Sequence, residues 1–354
     1  MKVTVKKSYL LLVSILFALL LAACSGEAES SSPDSSESEG TDTSSSSDSE
    51  AQEGSEEVSL ESVKIVLNWF SKAQHGGVYA ARERGIFEEN GLEVEIEPGG
   101  PQVSSIQMVA SGSSEFGLAH ADQMVIAKNQ GIDLVAVATA MQGSPQAFMF
   151  HEGEGVTDFE ELNGRTAYIQ PGITYWDYLK SKYDLSGVEE ISYTGDHANF
   201  INDPSSVSQA FVTSEPYFLG EEGIETETLL ISEAGYDPYN IVLYVTRDYL
   251  ESNEETVQKM VTSFVKGWNS YKDSPDEITE VINEANPDIS FEAFKFEQET
   301  QEEFIYGGDA AEHGVGYMSE ERWQTLIDQL AELGLLEETF DANEIFTTEY
   351  LPEN

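Results

Sequence analysis

The stretch that most constrains the fold runs from Val63 to Gly85 and predicts a strand, a loop and a helix in that order. Four of the five residues at 63–67 are apolar, and three of these are β-branched, which indicates a buried strand. A loop rich in aromatic and hydrogen-bonding side chains follows, and residues 78–84 then have a helical pattern that Gly85 ends in a left-handed conformation. An open α/β sheet presents ligand sites at such junctions, because the helix N-terminus adds unpaired N–H groups and a partial positive charge.

Strands and helices continue to alternate after this stretch. Apolar or alternating runs at 92–96, 116–119 and 132–138 predict further strands, with helices between them. This alternation predicts a mostly parallel sheet flanked by helices. Because the carboxyl ends of parallel strands meet at one edge of a sheet, we expect the loops that follow the strands to lie together. These loops span residues 68–77, 99–103, 120–122 and 141–145.

A second α/β unit is predicted from residue 146 onward, and the apolar run 241–245 predicts a strand that carries the chain back to the first unit. Two crossings between units form a hinge, and the cleft between the units is the expected pocket. We therefore predict a two-lobed α/β fold, with a mostly parallel, helix-flanked sheet in each lobe. Lobe I comprises 59–145 and 240–354, and lobe II comprises 146–239.

The first 23 residues have the pattern of a secretory signal peptide. Three lysines precede a short apolar segment that ends in Leu-Ala-Ala-Cys. This ending resembles the bacterial lipobox, in which the cysteine is acylated and becomes the new N-terminus, so we expect lipidation at Cys24. Residues 24–58 are mainly Ser, Glu, Asp and Gly and predict a disordered acidic tether. The expected location is the extracellular face of a Gram-positive cell membrane, held by the lipid anchor only; the alternative is an ordinary signal with an accidental cysteine.

Composition and motifs argue against several functions. The formal net charge of -49 at pH 7 argues against nucleic-acid binding, which needs basic patches. Cys24 is the only cysteine, so the folded body has no disulfide and no cysteine nucleophile. The sequence lacks Gly-x-Ser-x-Gly, His-Glu-x-x-His and phosphate-loop patterns, and its five histidines lack zinc-ligand spacing. Asp196 and His197 are interpreted as a surface turn. We expect no catalytic residue, no metal and no cofactor.

Several short motifs resemble a known family. They resemble those of solute-binding proteins for thiamine pyrimidine precursors, which are related to the sulfonate, taurine and nitrate binders of ABC importers. The resemblance implies a periplasmic-binding-protein fold of type II that closes on a small-molecule ligand, with an ABC permease and ATPase as partners; the protein itself is expected to be a monomer. The motifs are LNW at 67–69, HGGVYAA at 75–81, FGL at 116–118, EPY at 215–217 and GYM at 316–318.

The same resemblance implies which residues bind the ligand. In the pyrimidine-binding branch, aromatic rings stack on the heterocycle, and acidic or amide groups bind its amine and ring nitrogens. Motif position points to Trp69, His75 and Glu215. Local chemistry adds Tyr175 and Trp176, which follow a Gln-Pro-Gly loop and could supply an opposing ring. The full predicted set is Asn68, Trp69, His75, Gly76, Asp122, Gln142, Gly172, Tyr175, Trp176, Glu215 and Tyr217.

The sparse basic residues bear on the charge of the ligand. A desolvated anion needs charge-assisted donors or helix N-termini, and Lys72 is the one basic residue in a predicted site loop. Asp122 and Glu215 instead suit a ring that carries an amine. We therefore predict an aminopyrimidine-type heterocycle. The alternatives are a sulfonate-, taurine- or nitrate-like anion, a flavin, a binding protein that serves sensing, or an exported enzyme. Related cytoplasmic enzymes make the pyrimidine, but their cysteine cluster is absent here.

Replacement of Cys24 tests the predicted anchor. Cys24→Ser should move the protein from the membrane fraction to the soluble fraction, because serine cannot form the thioether to the lipid. Cell fractionation with immunoblotting measures this, and Ser25→Ala serves as the control that should stay with the membrane. If the serine variant remained as membrane-bound as the wild type, Cys24 would not be the attachment site.

Overall fold

The computed structural model describes residues 59–100 and 102–353. The predicted signal peptide, the acidic tether and Cys24 lie outside the described residues. Within the described ranges, no helix combines the length and the apolar character needed to cross a lipid bilayer.

The described residues form ten strands and fourteen α-helices. The strands are β1 (Glu61–Val66), β2 (Leu92–Glu97), β3 (Phe116–Ala119), β4 (Leu134–Met141), β5 (Gln146–His151), β6 (Thr166–Ile169), β7 (Glu189–Ser192), β8 (Val207–Phe211), β9 (Thr226–Leu230) and β10 (Asn240–Thr246). The helices are α1 (Gly76–Glu83), α2 (Ile86–Glu89), α3 (Ser105–Ala110), α4 (Ala121–Asn129), α5 (Thr174–Lys182), α6 (Ala198–Asn202), α7 (Glu215–Glu221), α8 (Arg247–Ser252), α9 (Glu254–Asp273), α10 (Asp276–Ala285), α11 (Phe291–Thr300), α12 (Glu302–Tyr306), α13 (Ala310–His313) and α14 (Glu320–Glu332).

Two five-stranded sheets organise the chain, in the orders β2-β1-β3-β10-β4 and β7-β6-β8-β5-β9. Each sheet contains one strand that runs against its neighbours, β10 in the first sheet and β5 in the second. Four of the five strands in each sheet run in one direction, so the predicted mostly parallel arrangement is confirmed, and one antiparallel strand makes each sheet mixed. The reason is topological: β5 and β10 are the strands by which the chain enters each sheet from the other, and each begins at the edge where the other strands end.

The loops that follow the strands of the first sheet lie at one edge, as predicted. Strands β1, β2 and β3 are parallel, and β3 and β4 both run antiparallel to β10, so all four share one direction. The same reasoning gives β6, β7, β8 and β9 one direction in the second sheet. The two crossings join these carboxyl edges, and ligand sites of open α/β sheets lie outside such edges.

The first sheet is buried beneath α1 and α9. All eight residues of β4 are buried, as expected for a strand covered on both faces. Helix α9 turns a stripe that includes Val261, Phe264 and Trp268 toward α1, where the apolar side chains leave water. Gly77 and Gly267 allow the close approach of these helices, because a Cβ at Gly267 would lie 2.2 Å from the Gly77 carbonyl oxygen.

Gly267→Ala tests this close approach. The variant should lower the free energy of unfolding by about 1–3 kcal/mol, the usual range for overpacking, since a backbone oxygen cannot yield as a flexible side chain can. Denaturant titration followed by circular dichroism measures the change. Gly220→Ala in α7 is the matched control, because nothing lies within 4 Å of the added Cβ; alanine there should be neutral or stabilise by up to ~1 kcal/mol. Equal stability of the two variants would contradict the packing argument.

Candidate ligand-binding site

A cluster of charged and polar side chains joins the carboxyl edges of the two sheets. Lys72, in the loop after β1, donates a hydrogen bond from Nζ to Ser214 Oγ at 2.7 Å. Ser214 precedes α7 and donates to Glu297 Oε1 of α11 at 2.6 Å. Lys72 Nζ also lies 3.1 Å from Glu297 Oε1 and 3.9 Å from Glu215 Oε1. We call these four residues the interlobe cluster.

The charge of Lys72 is balanced within this cluster. Its side chain is 12% exposed. Burial by itself would lower the pKa of Lys72, but the carboxylates of Glu297 and Glu215 outweigh that effect and raise it above its ordinary value. With one lysine and two carboxylates, the interlobe cluster carries a formal charge of −1. The ammonium group of Lys72 is therefore already paired with carboxylates of this chain.

His75 is buried beside the interlobe cluster and is held neutral. Its Nδ1 accepts from the Lys72 backbone N–H at 3.3 Å, so the proton lies on Nε2, which donates to Asn68 Oδ1 at 2.8 Å. Burial chiefly, and the positive charge of Lys72 secondly, lower the pKa of His75 from 6.5 to about 3. The predicted site residues Asn68 and His75 thus lie together with Lys72, and Glu215 faces them from the second sheet.

Asp122 makes a second polar connection between the sheets. Its Oδ2 accepts a hydrogen bond from Thr174 Oγ1 of α5 and another from Tyr236 Oη at 3.0 Å, while Oδ1 accepts from the Gln123 N–H at 2.8 Å. Burial first, and the Asp122 charge second, raise the pKa of Tyr236. The carboxylate of Asp122 is thus occupied by contacts with α5 and with the crossing segment, and its predicted contact with ligand remains a prediction.

The predicted aromatic residues of α5 lie inside the second lobe. Tyr175 and Trp176 are each 3% exposed, and both rings pack edge-on against Phe148. Tyr175 Oη donates to Gln209 Oε1 at 3.2 Å, and burial raises the pKa of Tyr175. Trp176 and Gly172 line a cavity of about 240 Å³ at the carboxyl ends of β6 and β7. These two aromatic residues therefore have a packing role here, whatever contact they make with a ligand.

Two other predicted aromatic residues are more accessible. Trp69 is half-buried in the loop after β1 and packs edge-on against Phe70, with ring centroids 5.6 Å apart. Tyr217 stacks on Phe296 of α11 at 4.9 Å. Trp69 therefore lies three positions before Lys72 in the loop after β1, whereas Tyr217 joins α7 to α11.

Gly76 and Gln142 have structural surroundings of their own. A Cβ at Gly76 would lie 2.5 Å from the ring of Tyr271, so the absence of a side chain permits packing against α9. Gln142 Nε2 donates to the Tyr317 carbonyl oxygen at 3.0 Å, and its buried Oε1 has no partner among the described residues. The expectation that either residue contacts ligand remains a prediction.

The structure adds residues that sequence reasoning missed. Glu297 could not be found from the sequence, because it lies on an amphipathic helix more than 200 positions from Lys72. The sequence predicts a surface turn at Asp196 and His197. Asp196 is exposed, but His197 is half-buried, and Tyr193 Oη lies 3.2 Å from its Nε2. The sequence did offer one indication of a site here. Tyr193 directly follows β7 and so lies at the carboxyl edge of the sheet. In the described ranges, no group of three or more His, Cys, Asp or Glu residues is arranged to hold a metal.

Comparison with known proteins now assigns the family. Residues 72–278 match the model of the family described as NMT1/THI5 like. The chain belongs to this family. The resemblance inferred from the sequence motifs is thereby confirmed. The matched range includes the loop of Lys72 and His75, the whole second sheet and strand β10.

The relatives of this chain have names that indicate different functions. The chain is 22% identical to the riboflavin-binding protein RibY of Chloroflexus aurantiacus over 98% of both chains. It is 23% identical to a formylaminopyrimidine-binding protein of Halalkalibacterium halodurans, over 83% of this chain and 92% of the relative. It is also 20% identical to a 4-amino-5-hydroxymethyl-2-methylpyrimidine phosphate synthase of Legionella pneumophila, over 83% and 94% of the two chains.

Solved structures confirm the fold class of this NMT1/THI5-like chain. The periplasmic aliphatic sulphonate binding protein SsuA of Escherichia coli aligns with a TM-score of 0.63 at 14% identity, over 84% of this chain and 95% of that chain. A Candida albicans protein described as having the generic periplasmic binding protein fold aligns with a TM-score of 0.56 at 14% identity, over 83% and 99%. The predicted two-lobed periplasmic-binding-protein fold is therefore confirmed.

The buried neutral state of His75 predicts a pH dependence of stability. Because the folded-state pKa of about 3 is below the ordinary 6.5, the unfolded chain binds the extra proton first as pH falls. The contribution of His75 to the free energy of unfolding is therefore constant above about pH 6.5. Between about pH 6.5 and pH 3 the free energy of unfolding falls by an amount on the order of a few kcal/mol.

His75→Gln should therefore lose less stability than the wild type when the pH is lowered from about 7 to about 4. Glutamine keeps a polar group near Asn68 but cannot be protonated. Denaturant titrations at several pH values give the comparison, in which the carboxylates common to both proteins cancel. Identical slopes for His75→Gln and the wild type would contradict the buried neutral state.

Proposed function

We propose that this protein is the extracytoplasmic solute-binding component of an ABC importer and that it captures an aminopyrimidine-type heterocycle by closure of its two lobes. The observation that carries the proposal is the interlobe cluster, in which the one lysine of the site loops is already paired with two carboxylates. An ABC permease and its ATPase would accept the loaded protein. The periplasmic-binding-protein fold and the binding-protein relatives support this role.

The charge of the interlobe cluster favours a neutral or weakly basic ligand over an anion. A sulfonate or nitrate would need Lys72 as a donor, and it would have to compete with Glu297 and Glu215 for that ammonium group. It would also meet the excess negative charge of the cluster at short range, where salt screens poorly. An amine-bearing heterocycle instead gains from a nearby carboxylate, and Glu215 Oε1 lies at the rim of the cluster, 3.9 Å from Lys72 Nζ.

The neighbouring groups suit a flat ring with nitrogen donors and acceptors. Asn68 has both an amide donor and an acceptor, and its orientation is held by the neutral His75. Trp69 is half-buried at the start of the same loop, and stacking of one heterocycle on such a ring contributes about 1–3 kcal/mol. Riboflavin and formylaminopyrimidine, which appear in the names of two relatives, are both nitrogen heterocycles.

An enzymatic function is the second candidate, because relatives in the family include pyrimidine phosphate synthases. The sequence has no nucleophile motif, the Lys72 ammonium group is paired with two carboxylates, and Cys24 is the only cysteine of the chain. The site is accounted for by recognition groups, so binding without conversion is the function we infer. Recovery of the bound compound unchanged after incubation distinguishes binding from turnover.

Ligand-induced stabilisation tests the proposed function. Formylaminopyrimidine should raise the melting temperature, while taurine, ethanesulfonate and nitrate should not. At about 100 times its dissociation constant, the ligand should add roughly 2.7 kcal/mol to the free energy of unfolding. Differential scanning fluorimetry and calorimetric titration provide the measurements. Riboflavin is tested in the same way to examine the alternative that the ligand is a flavin. A clear shift with a sulfonate and none with a heterocycle would contradict the proposal.

A matched pair of variants locates the binding. Glu215→Gln should weaken binding of the aminopyrimidine about tenfold, because it removes the carboxylate that faces the amine. Glu225→Gln changes an exposed carboxylate of the same lobe and should leave the dissociation constant unchanged. If the two variants bound equally well, the ligand would lie elsewhere than at the interlobe cluster.

A further inference from the structure

We propose that Tyr193 and His197 form a further ligand-contacting pair in the second lobe, with His197 Nδ1 as the atom that hydrogen-bonds a nitrogen heterocycle. The inference rests on the proposed function and names two residues of its site that no sequence motif indicated. The sequence predicts a surface turn at Asp196 and His197, and the structure places His197 four residues beyond Tyr193, which follows β7 at the carboxyl edge of the second sheet.

The backbone places this pair at the carboxyl edge of the second sheet. Tyr193 directly follows β7, and its N–H donates to the Ile169 carbonyl oxygen, at the end of β6, at 2.9 Å. The sheet ladder thus continues to the residue that carries the phenol ring. His197 lies four positions later, at the residue before α6. Both side chains are half-buried, in contrast to Asp196 between them, which is exposed.

One atom of this pair lacks a partner. Tyr193 Oη lies 3.2 Å from His197 Nε2, and the two rings are 5.4 Å apart at 46°. This contact occupies one ring nitrogen and orients the imidazole. The other nitrogen, Nδ1, is buried and has no hydrogen-bond partner in the part of the chain that the structure describes. A buried polar atom without a partner is unfavourable, and such atoms are rare in folded proteins unless a ligand or water completes them.

The electrostatic surroundings connect the pair to the interlobe cluster. Burial chiefly lowers the pKa of His197; the carboxylates of Glu215 and Asp196 act against this, and Lys72 lowers it further. Lys72 belongs to the loop after β1, so His197 lies within electrostatic reach of a residue from the opposite edge. Burial first, and Glu215 second, raise the pKa of Tyr193. Both rings are therefore uncharged at neutral pH.

A neutral imidazole at this position suits both polar edges of an aminopyrimidine. If Nε2 carries the proton and donates to Tyr193 Oη, Nδ1 accepts a hydrogen bond from an exocyclic amine. If Tyr193 donates to Nε2, the Nδ1 proton points to a ring nitrogen of the ligand. Tyr193 is the positioning residue in either arrangement, because its hydroxyl occupies Nε2 and orients the imidazole ring.

Amide substitutions distinguish the two nitrogens of His197. The side-chain amide of asparagine reaches about as far as Nδ1, whereas the amide of glutamine reaches about as far as Nε2. In calorimetric titrations with formylaminopyrimidine, His197→Ala and His197→Gln should each bind about tenfold more weakly than the wild type, and His197→Asn should stay within about threefold. Tyr193→Phe, which loses only the orienting hydroxyl, should weaken binding about threefold.

His151→Asn is the matched control. His151 lies in the same lobe, and its Nε2 lies 3.0 Å from the Phe200 carbonyl oxygen, so the substitution also removes a histidine hydrogen bond. It should alter the melting temperature but not the dissociation constant. Melting curves for every variant separate loss of fold from loss of contact, and Tyr193→Phe with His197→Asn keeps the test valid if His197→Ala does not fold.

The outcomes separate this inference from the proposed function. Wild-type affinity in His197→Ala overturns the ligand contact, while binding by the wild-type protein leaves the proposed function in place. A folded His197→Asn variant as weak as His197→Ala overturns the assignment to Nδ1. Failure of the wild-type protein to bind any heterocycle overturns the proposed function itself, and the contact with it.

Discussion

The buried ammonium group of Lys72 is the interaction on which the rest of the site depends. Moving such a charge out of water costs several kcal/mol, so it is stable only where carboxylates surround it with good geometry. Glu297 meets this need from α11 and also accepts a hydrogen bond from the Ala73 N–H at 3.3 Å, while Ser214 bridges toward α7. Three segments distant in sequence are thereby held to one point, and the loop that carries Asn68, Trp69 and His75 is positioned relative to the second sheet.

The strand directions explain why this point lies where it does. Because β5 and β10 enter their sheets at the edge where the other strands end, both crossings and all the loops that follow strands share the space between the two sheets. Helix N-termini and polar loop residues collect there, while the apolar side chains lie beneath the helices. Helix α14 packs against both α4 and α5, so an apolar cluster that includes Met124, Trp176 and Trp323 spans the two lobes beside the polar site.

Polar contacts join the two edges at the interlobe cluster and at Asp122, and they bear on the proposed closure of the lobes. A hydrogen bond such as that of Thr174 or Tyr236 to Asp122 exchanges for one to water when the lobes separate, so its net contribution is only ~1 kcal/mol. A balance of such small terms can be shifted by a ligand that interacts with both lobes. Asp122 therefore joins α5 and the crossing segment in this structure, and the proposed ligand contacts fall to Asn68, Trp69 and Glu215.

The sequence by itself determined most of the secondary structure, the shared edge of the loops and the buried stripe of α9, because burial periodicity and glycine conformations are local properties. The family came from the resemblance of its short motifs. The sequence also selected Asn68, His75 and Glu215, since motif position places them at strand and helix ends. Only the tertiary structure decided the directions of β5 and β10, the arrival of Glu297 beside Lys72, the use of Asp122 between lobes and the burial of His197. Pairing of polar side chains depends on which distant segments pack together, and the spacing of residues along one helix or strand carries no record of that partner.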